Sequence, residues 1–285
     1  MTPATTDGLL LVDKPAGLTS HDVVARARRA LGQRRVGHAG TLDPFATGLL
    51  VLLVGAATRL LAVLEGEPKV YAATVRFGAE TTTDDRTGET TRTAAPPERA
   101  AVEAAVAALT GEIDQAPPAY SAKRVAGRRA YAAARRGAPL ALGPTRVRED
   151  RWELLEARAQ DLDVRITCGA GTYVRALARD LGRLSASAAH LAALRRLRSG
   201  PFDVRDAVAL DAVAPAAVRS PLEGLRSLPV DVLDAEALRR VTHGMDVAAH
   251  VDGERAALVD GQRELVAIAA RALDRWRPTI VLRHA

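Results

Sequence analysis

The chain has one cysteine, Cys168, in 285 residues. A disulfide within the chain and a thiolate metal cluster are therefore both excluded. Six histidines are present, but none falls in an HxxxH or comparable ligand spacing, so no metal site is expected. No glycine-rich phosphate loop occurs, and no segment repeats internally. The longest apolar run, Leu49 to Val54, is far too short to cross a bilayer. The N-terminus, MTPATTDG, has no charged-then-apolar signal pattern, and the expected location is the cytoplasm. Aromatic residues are scarce: four Tyr, three Phe and two Trp. Lysine is scarcer still, at three of the forty basic residues.

What is present is arginine, alanine and aliphatic side chains. The net charge is +6 and the pI about 10. That balance favours a polyanionic partner, with nucleic acid ahead of a membrane surface. The arginine excess is also what a G+C-rich coding bias yields, so charge alone is a modest pointer. Nearly half the residues are hydrophobic, enough for one large domain and a small one.

Strand-like runs fall at Gly8–Val12, Gly48–Val54, Lys69–Phe77, Arg146–Leu154, Leu162–Thr167 and Leu191–Leu197. Helical stretches are expected from Thr19 or Ser20 through Ala30, over Thr58–Leu64, over Pro97–Leu109 and over Tyr173–Leu184. Strands and helices do not alternate regularly. The expected fold class is α+β, with a mixed, mainly antiparallel sheet flanked by helices. Asp211 to Pro229 reads as a linker, and the tail beyond it as a small β-rich domain. The expected division is a catalytic domain over 1–225 and a C-terminal domain over 226–285.

The segment Gly37 to Gly48, GHAGTLDPFATG, places one carboxylate, Asp43, in a glycine-punctuated loop. Pro44 holds Asp43 away from the α region, and the following apolar run anchors the loop. A carboxylate so mounted suits a nucleophile or general base; alone, it equally describes an Asp-Pro turn before a core strand.

Further blocks accompany it in a fixed order. They are Lys14-Pro15-Ala16-Gly17, Lys69-Val70-Tyr71, TTTDDRTG at 81–88, PPAYSAKRVAGRRAYAAARRG at 117–137, Gly171-Thr172-Tyr173-Val174-Arg175 and Leu194-Arg195-Arg196. Together with the Asp43 loop they resemble the TruB-type pseudouridine synthases, which act on uridine 55 of tRNA. Thr82 departs from the aspartate the family often has there, and Arg124 from its lysine, with Lys123 adjacent.

The resemblance implies conversion of uridine to pseudouridine in the T-loop of tRNA, with no cofactor, metal or guide RNA. The N1–C1′ bond breaks and C5 is joined to C1′, with no net gain or loss of atoms. The carboxylate attacks C1′, adds at C6, or assists elimination; the sequence leaves all three open. Asp43 is the implied nucleophile and Arg175 its cationic partner. Tyr71 is implied to stack on the uracil and serve as proton acceptor. Tyr173 and Leu194 are implied to line the pocket, and His38 to fill the space left by the flipped base. Lys123 and Arg124, within an insertion at 119–145, are implied to clamp phosphates. Lys14 is expected either to shape the N-terminal turn or to bind phosphate. The tail is implied to be a PUA-like module, and the protein a monomer binding the T-arm with no membrane partner. Two other readings stay open: an RNA-binding chaperone that refolds tRNA, and a guide-dependent catalytic subunit.

Overall fold

The computed structural model describes residues 7–121, 124–125, 128–129, 140 and 142–283, with the backbone alone for 124–125 and 128–129. The chain forms two compact units. Met1–Pro44, Gly48–Glu65 and Ser199–Ala285 make the first, and Phe45–Thr47 with Gly66–Arg198 the second.

The first unit opens with β1 (Gly8–Lys14), α1 (Ser20–Leu31), β2 (Val36–Ala39), β3 (Thr47–Val54) and, after a 3₁₀ turn, α2 (Leu61–Glu65). Thr19 is the N-cap of α1. Its hydroxyl accepts from the Asp22 N–H, and the Asp22 carboxylate accepts from the Thr19 N–H, a reciprocal capping box. Gly32, at φ 60°, closes the helix in the left-handed conformation. The helix buries Val23, Val24 and Ala27. β1 and β3 are antiparallel over their full length, from Gly8 opposite Val54 to Lys14 opposite Gly48. β2 adds to the other edge of β3, with His38 opposite Leu52. His38 is therefore on a strand and not in the loop that the sequence suggested. Four residues with a glycine and a histidine among them lack the alternation that marks a strand.

The second unit holds β4 (Lys69–Phe77), the hairpin β5 (Ala79–Thr81) and β6 (Thr90–Thr93), α3 (Arg99–Ala108) and β7 (Gly111–Gln115). Then come the short pair β8 (Arg124–Val125) and β9 (Arg128–Arg129), β10 (Thr145–Arg158), β11 (Asp161–Cys168), α4 (Val174–Leu184) and β12 (Ala189–Ser199). Its strands run in the order β12-β4-β11-β10-β7. The β4–β11, β11–β10 and β10–β7 pairs are all antiparallel. α3 starts at Arg99 and not at Pro97, because Glu98 is extended and is the N-cap.

The chain then returns to the first unit through β13 (Phe202–Asp203), β14 (Val208–Ala209), β15 (Val230–Val232), α5 (Ala235–Thr242), β16 (Val247–Ala248), β17 (Arg255–Val259), β18 (Leu265–Ala272) and β19 (Arg275–Val281). The last five strands form a sheet ordered β15-β17-β18-β19-β16. The expected linker is instead folded. Three 3₁₀ turns occupy it, and Leu222, Leu225 and Leu228 join an apolar cluster with Leu9, Leu49 and Ile268. Full burial of Leu225 alone is worth roughly 1.5–3 kcal/mol, which favours packing over the local proline and alanine pattern. The architecture is α+β, with a mixed and mainly antiparallel sheet and a β-rich C-terminal sheet.

Candidate active site

Asp43 is half-buried, and the residues on both sides of it are held by their backbones. On the N-terminal side, the Ser20 hydroxyl accepts from the Leu42 N–H (2.9 Å) and donates to the Leu42 carbonyl (3.2 Å). On the C-terminal side, the Pro44 carbonyl accepts from the Gly17 N–H (2.7 Å) and from Lys14 Nζ (3.4 Å). Lys14 is fully buried, and its ammonium also donates to the carbonyls of Pro15 (3.0 Å) and Leu18 (2.7 Å). Three carbonyls thus meet the three donors of one ammonium. The turn after β1 is in this way tied to the loop that carries Asp43. Glycine is needed at the loop's two ends, where Gly40 and Gly48 have φ of 79° and 99°. His38, on β2, meets His21 of α1 edge to face, with ring centroids 5.6 Å apart.

In the second unit Tyr71 projects from β4 on the same face as Lys69, Ala73 and Val75, and it is buried. Leu194 is buried on β12. Tyr173 is the N-cap residue of α4. Its N–H donates to Gln115 Oε1 (2.8 Å) and its carbonyl accepts from Gln115 Nε2 (3.2 Å). Gln115 is buried at the end of β7 and fixes where α4 begins.

Arg175 is buried in the first turn of α4. Its guanidinium donates to the carbonyls of Thr83 and Tyr120, both at 2.8 Å, and one nitrogen stands 3.8 Å from Asp85 Oδ2. It is not a solvated helix residue. Arg175, Arg179 and Arg183 follow one another at intervals of four, which puts them on one face of α4. Each meets a different acid: Asp85, then Asp84 at 2.9 Å, then Glu80 at 2.6 Å. Hydrogen bonding from Arg183 holds the Glu80 carboxyl below its ordinary pKa against the opposing effect of burial, and Arg92 assists. Burial pushes Asp84 above the ordinary value, although Arg179 opposes it. Asp84 adopts φ 58°, a left-handed conformation that an Asp tolerates better than most residues. Asp85 accepts hydrogen bonds from the Thr83 hydroxyl and from both the N–H and the hydroxyl of Thr87. The TTTDDRTG block is therefore a folded platform under the start of α4.

Lys123 lies outside the described residues, as does the side chain of Arg124. Among the described residues, no group of three or more His, Cys, Asp or Glu converges as a metal-ligand set. Among them, too, no helix is long and apolar enough to cross a membrane. Ser20 as a tether and Gln115 escaped the sequence; the TTTDDRTG block marked Asp84 and Asp85 but not their ion-pair partners. The spacing of four between the arginines of α4 was a local signal for those partners.

Residues 28–174 match the TruB family pseudouridylate synthase N-terminal domain, more than half of the chain. The chain belongs to the TruB family of pseudouridine synthases. Residues 175–249 match the tRNA pseudouridylate synthase B C-terminal domain. A tRNA pseudouridine synthase B of Thermobifida fusca is 45% identical, across 96% of this chain and 98% of the relative. One from Leifsonia xyli is 52% identical, across 75% and 74%. Among solved structures, a Cbf5-Nop10-Gar1 complex contains a chain that superposes with a TM-score of 0.75 at 24% identity, covering 98% of this chain and 86% of that one. That likeness shows the shared fold. The protein is thus a pseudouridine synthase, and the α+β architecture is the one its family uses.

Proposed function

We propose that this protein isomerises uridine 55 in the T-loop of tRNA to pseudouridine, without guide RNA and with Asp43 as the nucleophilic carboxylate. The observation that carries the reading is the double tether around Asp43: Ser20 on Leu42, and Gly17 with Lys14 on Pro44. A carboxylate between two fixed peptide units keeps its direction through the reaction, which is what nucleophilic catalysis requires.

The N1–C1′ bond breaks, the base turns, C5 bonds to C1′, the C5 proton leaves and N1 takes one up. Each of the three routes open to Asp43 needs it ionised. Arg175 is the proposed cation that favours that state. Tyr71 is the proposed stacking partner and proton acceptor, with Tyr173 and Leu194 as walls of the uracil site. His38 is the proposed filler of the vacated stack, after the base has flipped out. Lys14 acts by holding the loop. Lys123 and Arg124 remain proposed phosphate contacts, and 226–285 a proposed PUA-like module. A cytoplasmic location and a monomeric state belong to the same proposal.

The reading is tested with purified protein and unmodified tRNA transcript, without added metal or cofactor, by mapping pseudouridine chemically. Product at position 55 alone supports it. Product elsewhere, or only when a guide RNA is added, refutes it.

A further inference from the structure

We infer that the arginine-rich turn at the C-terminal end of α1 is a phosphate-binding site for the backbone of the substrate RNA, outside its target loop. An open cleft of about 310 Å³ is lined by Arg28, Arg29, Gly32, Gln33 and Arg34. Arg35 follows directly. All four arginines are exposed, and among the described residues none has a carboxylate within ion-pair distance. Elsewhere in the chain the guanidinium groups are commonly matched to acids, as along α4 or in the pair of Arg76 with Asp161.

The simplest alternative is that these residues serve the helix terminus. Cations there complement the helix dipole. That accounts for Arg28 and Arg29, which are in the last turn. It does not account for Arg34, which lies beyond the left-handed Gly32. Nor are the guanidinium groups needed to cap the helix carbonyls. The Gly32 N–H already donates to Arg29 O (3.3 Å), and the Gln33 N–H to Arg28 O (3.1 Å). Arg28 and Arg35 are instead fixed by neutral acceptors, Arg28 on the Val36 carbonyl (2.7 Å) and Arg35 on the Thr58 hydroxyl (2.7 Å). These guanidinium groups keep their positive charge, and phosphodiester oxygens match their geometry.

The position fits a nucleic acid. Arg34 precedes His38 by four residues, and β2, which carries His38, begins two residues after Arg34. The Val36 N–H donates to the Arg34 carbonyl (3.2 Å), so the chain turns there, and the Cα atoms of Arg34 and His38 are at most about 14 Å apart. A backbone gripped here leaves the same RNA within reach of His38. This inference rests on the proposed function for the identity of the RNA.

The test compares Arg29→Gln/Arg34→Gln with a control, Arg99→Gln/Arg205→Gln, which removes the same charge from exposed arginines elsewhere. Full-length proteins are titrated with unmodified tRNA transcript at several salt concentrations. The cleft variant is expected to raise Kd about tenfold at 0.1 M salt and to lower the slope of log K against log salt by about 1.4–1.8. The control is expected to change Kd less than twofold. Turnover at saturating tRNA and the melting temperature should match the wild type, and Arg29→Lys/Arg34→Lys should restore most of the affinity. An unchanged salt slope, or equal loss in cleft and control variants, would overturn the inference. If the wild type makes no pseudouridine in tRNA, the proposed function fails; the Kd and slope comparison still decides the site.

Discussion

One hydroxyl serves both backbone groups of one residue: Ser20 Oγ accepts from the Leu42 N–H and donates to the Leu42 carbonyl. Ser20 is the first residue of α1, yet it does not cap that helix; Thr19 does. Its hydroxyl is free for a contact 22 residues away, next to Asp43. Ser20→Ala leaves a buried peptide N–H without its partner, at a cost of about 1–3 kcal/mol. If Ser20 aims Asp43, kcat should fall by at least tenfold while KM for tRNA stays within about twofold. Loss of stability with wild-type kcat would show that Ser20 only supports the fold.

Gln115 is the matching clamp in the second unit, holding both backbone groups of Tyr173. Gln115→Glu retains the acceptor but presents an ionised oxygen to the Tyr173 carbonyl. It should destabilise more at pH 8 than at pH 4, where the carboxyl is protonated and can donate. Urea unfolding at both pH values checks this. Equal losses would argue that the amide merely fills space.

Asp84 and Arg179 are both buried and 2.9 Å apart. Arg179→Met leaves the aspartate without its cation and should destabilise by about 3–5 kcal/mol at pH 7. Asp84→Asn in the same background should recover part of that loss, since asparagine accepts the positive φ and carries no charge. Chemical denaturation of the single and double variants measures the coupling. Additive losses would mean that the two side chains do not act as a pair.

Glu149 is fully buried, opposite Cys168 in the β10–β11 ladder. Burial, and then the Asp150 charge, push its carboxyl up from 4.5 to about 9. Burial likewise raises the Cys168 thiol. Between those two pH values the folded protein keeps a proton that the unfolded chain has lost. The favourable contribution is therefore complete below pH 4.5 and is lost as pH rises toward 9. Stability of the wild type relative to Glu149→Gln should decline across that window, by up to about 1.4 kcal/mol per pH unit. Parallel stability curves from pH 4 to 9 would contradict a buried neutral acid.

Much of this was legible in the sequence because it is local. The helix start at Thr19 or Ser20 and the alternation of Lys69 to Phe77 depend on neighbours within a few residues, and both elements are present in the structure. The TruB resemblance, carried by ordered motifs, identified the family. What stayed hidden depends on contacts across the chain. Ser20 reaches over 22 residues to Leu42, and Gln115 over 58 to Tyr173. The stretch from Asp211 to Pro229 looked like a linker because its proline and alanine content speaks for turns. Its leucines carry the tertiary signal, and they pack. β2 escaped because pairing with β3 creates it; its own residues do not specify it.

The central claim is that Asp43 is the reacting carboxylate. The most direct test is Asp43→Asn, assayed with tRNA transcript at saturating protein alongside a binding titration. The account predicts no detectable pseudouridine at position 55, with Kd for tRNA within about threefold of the wild type. Product formed at the wild-type rate by the Asn variant would contradict it.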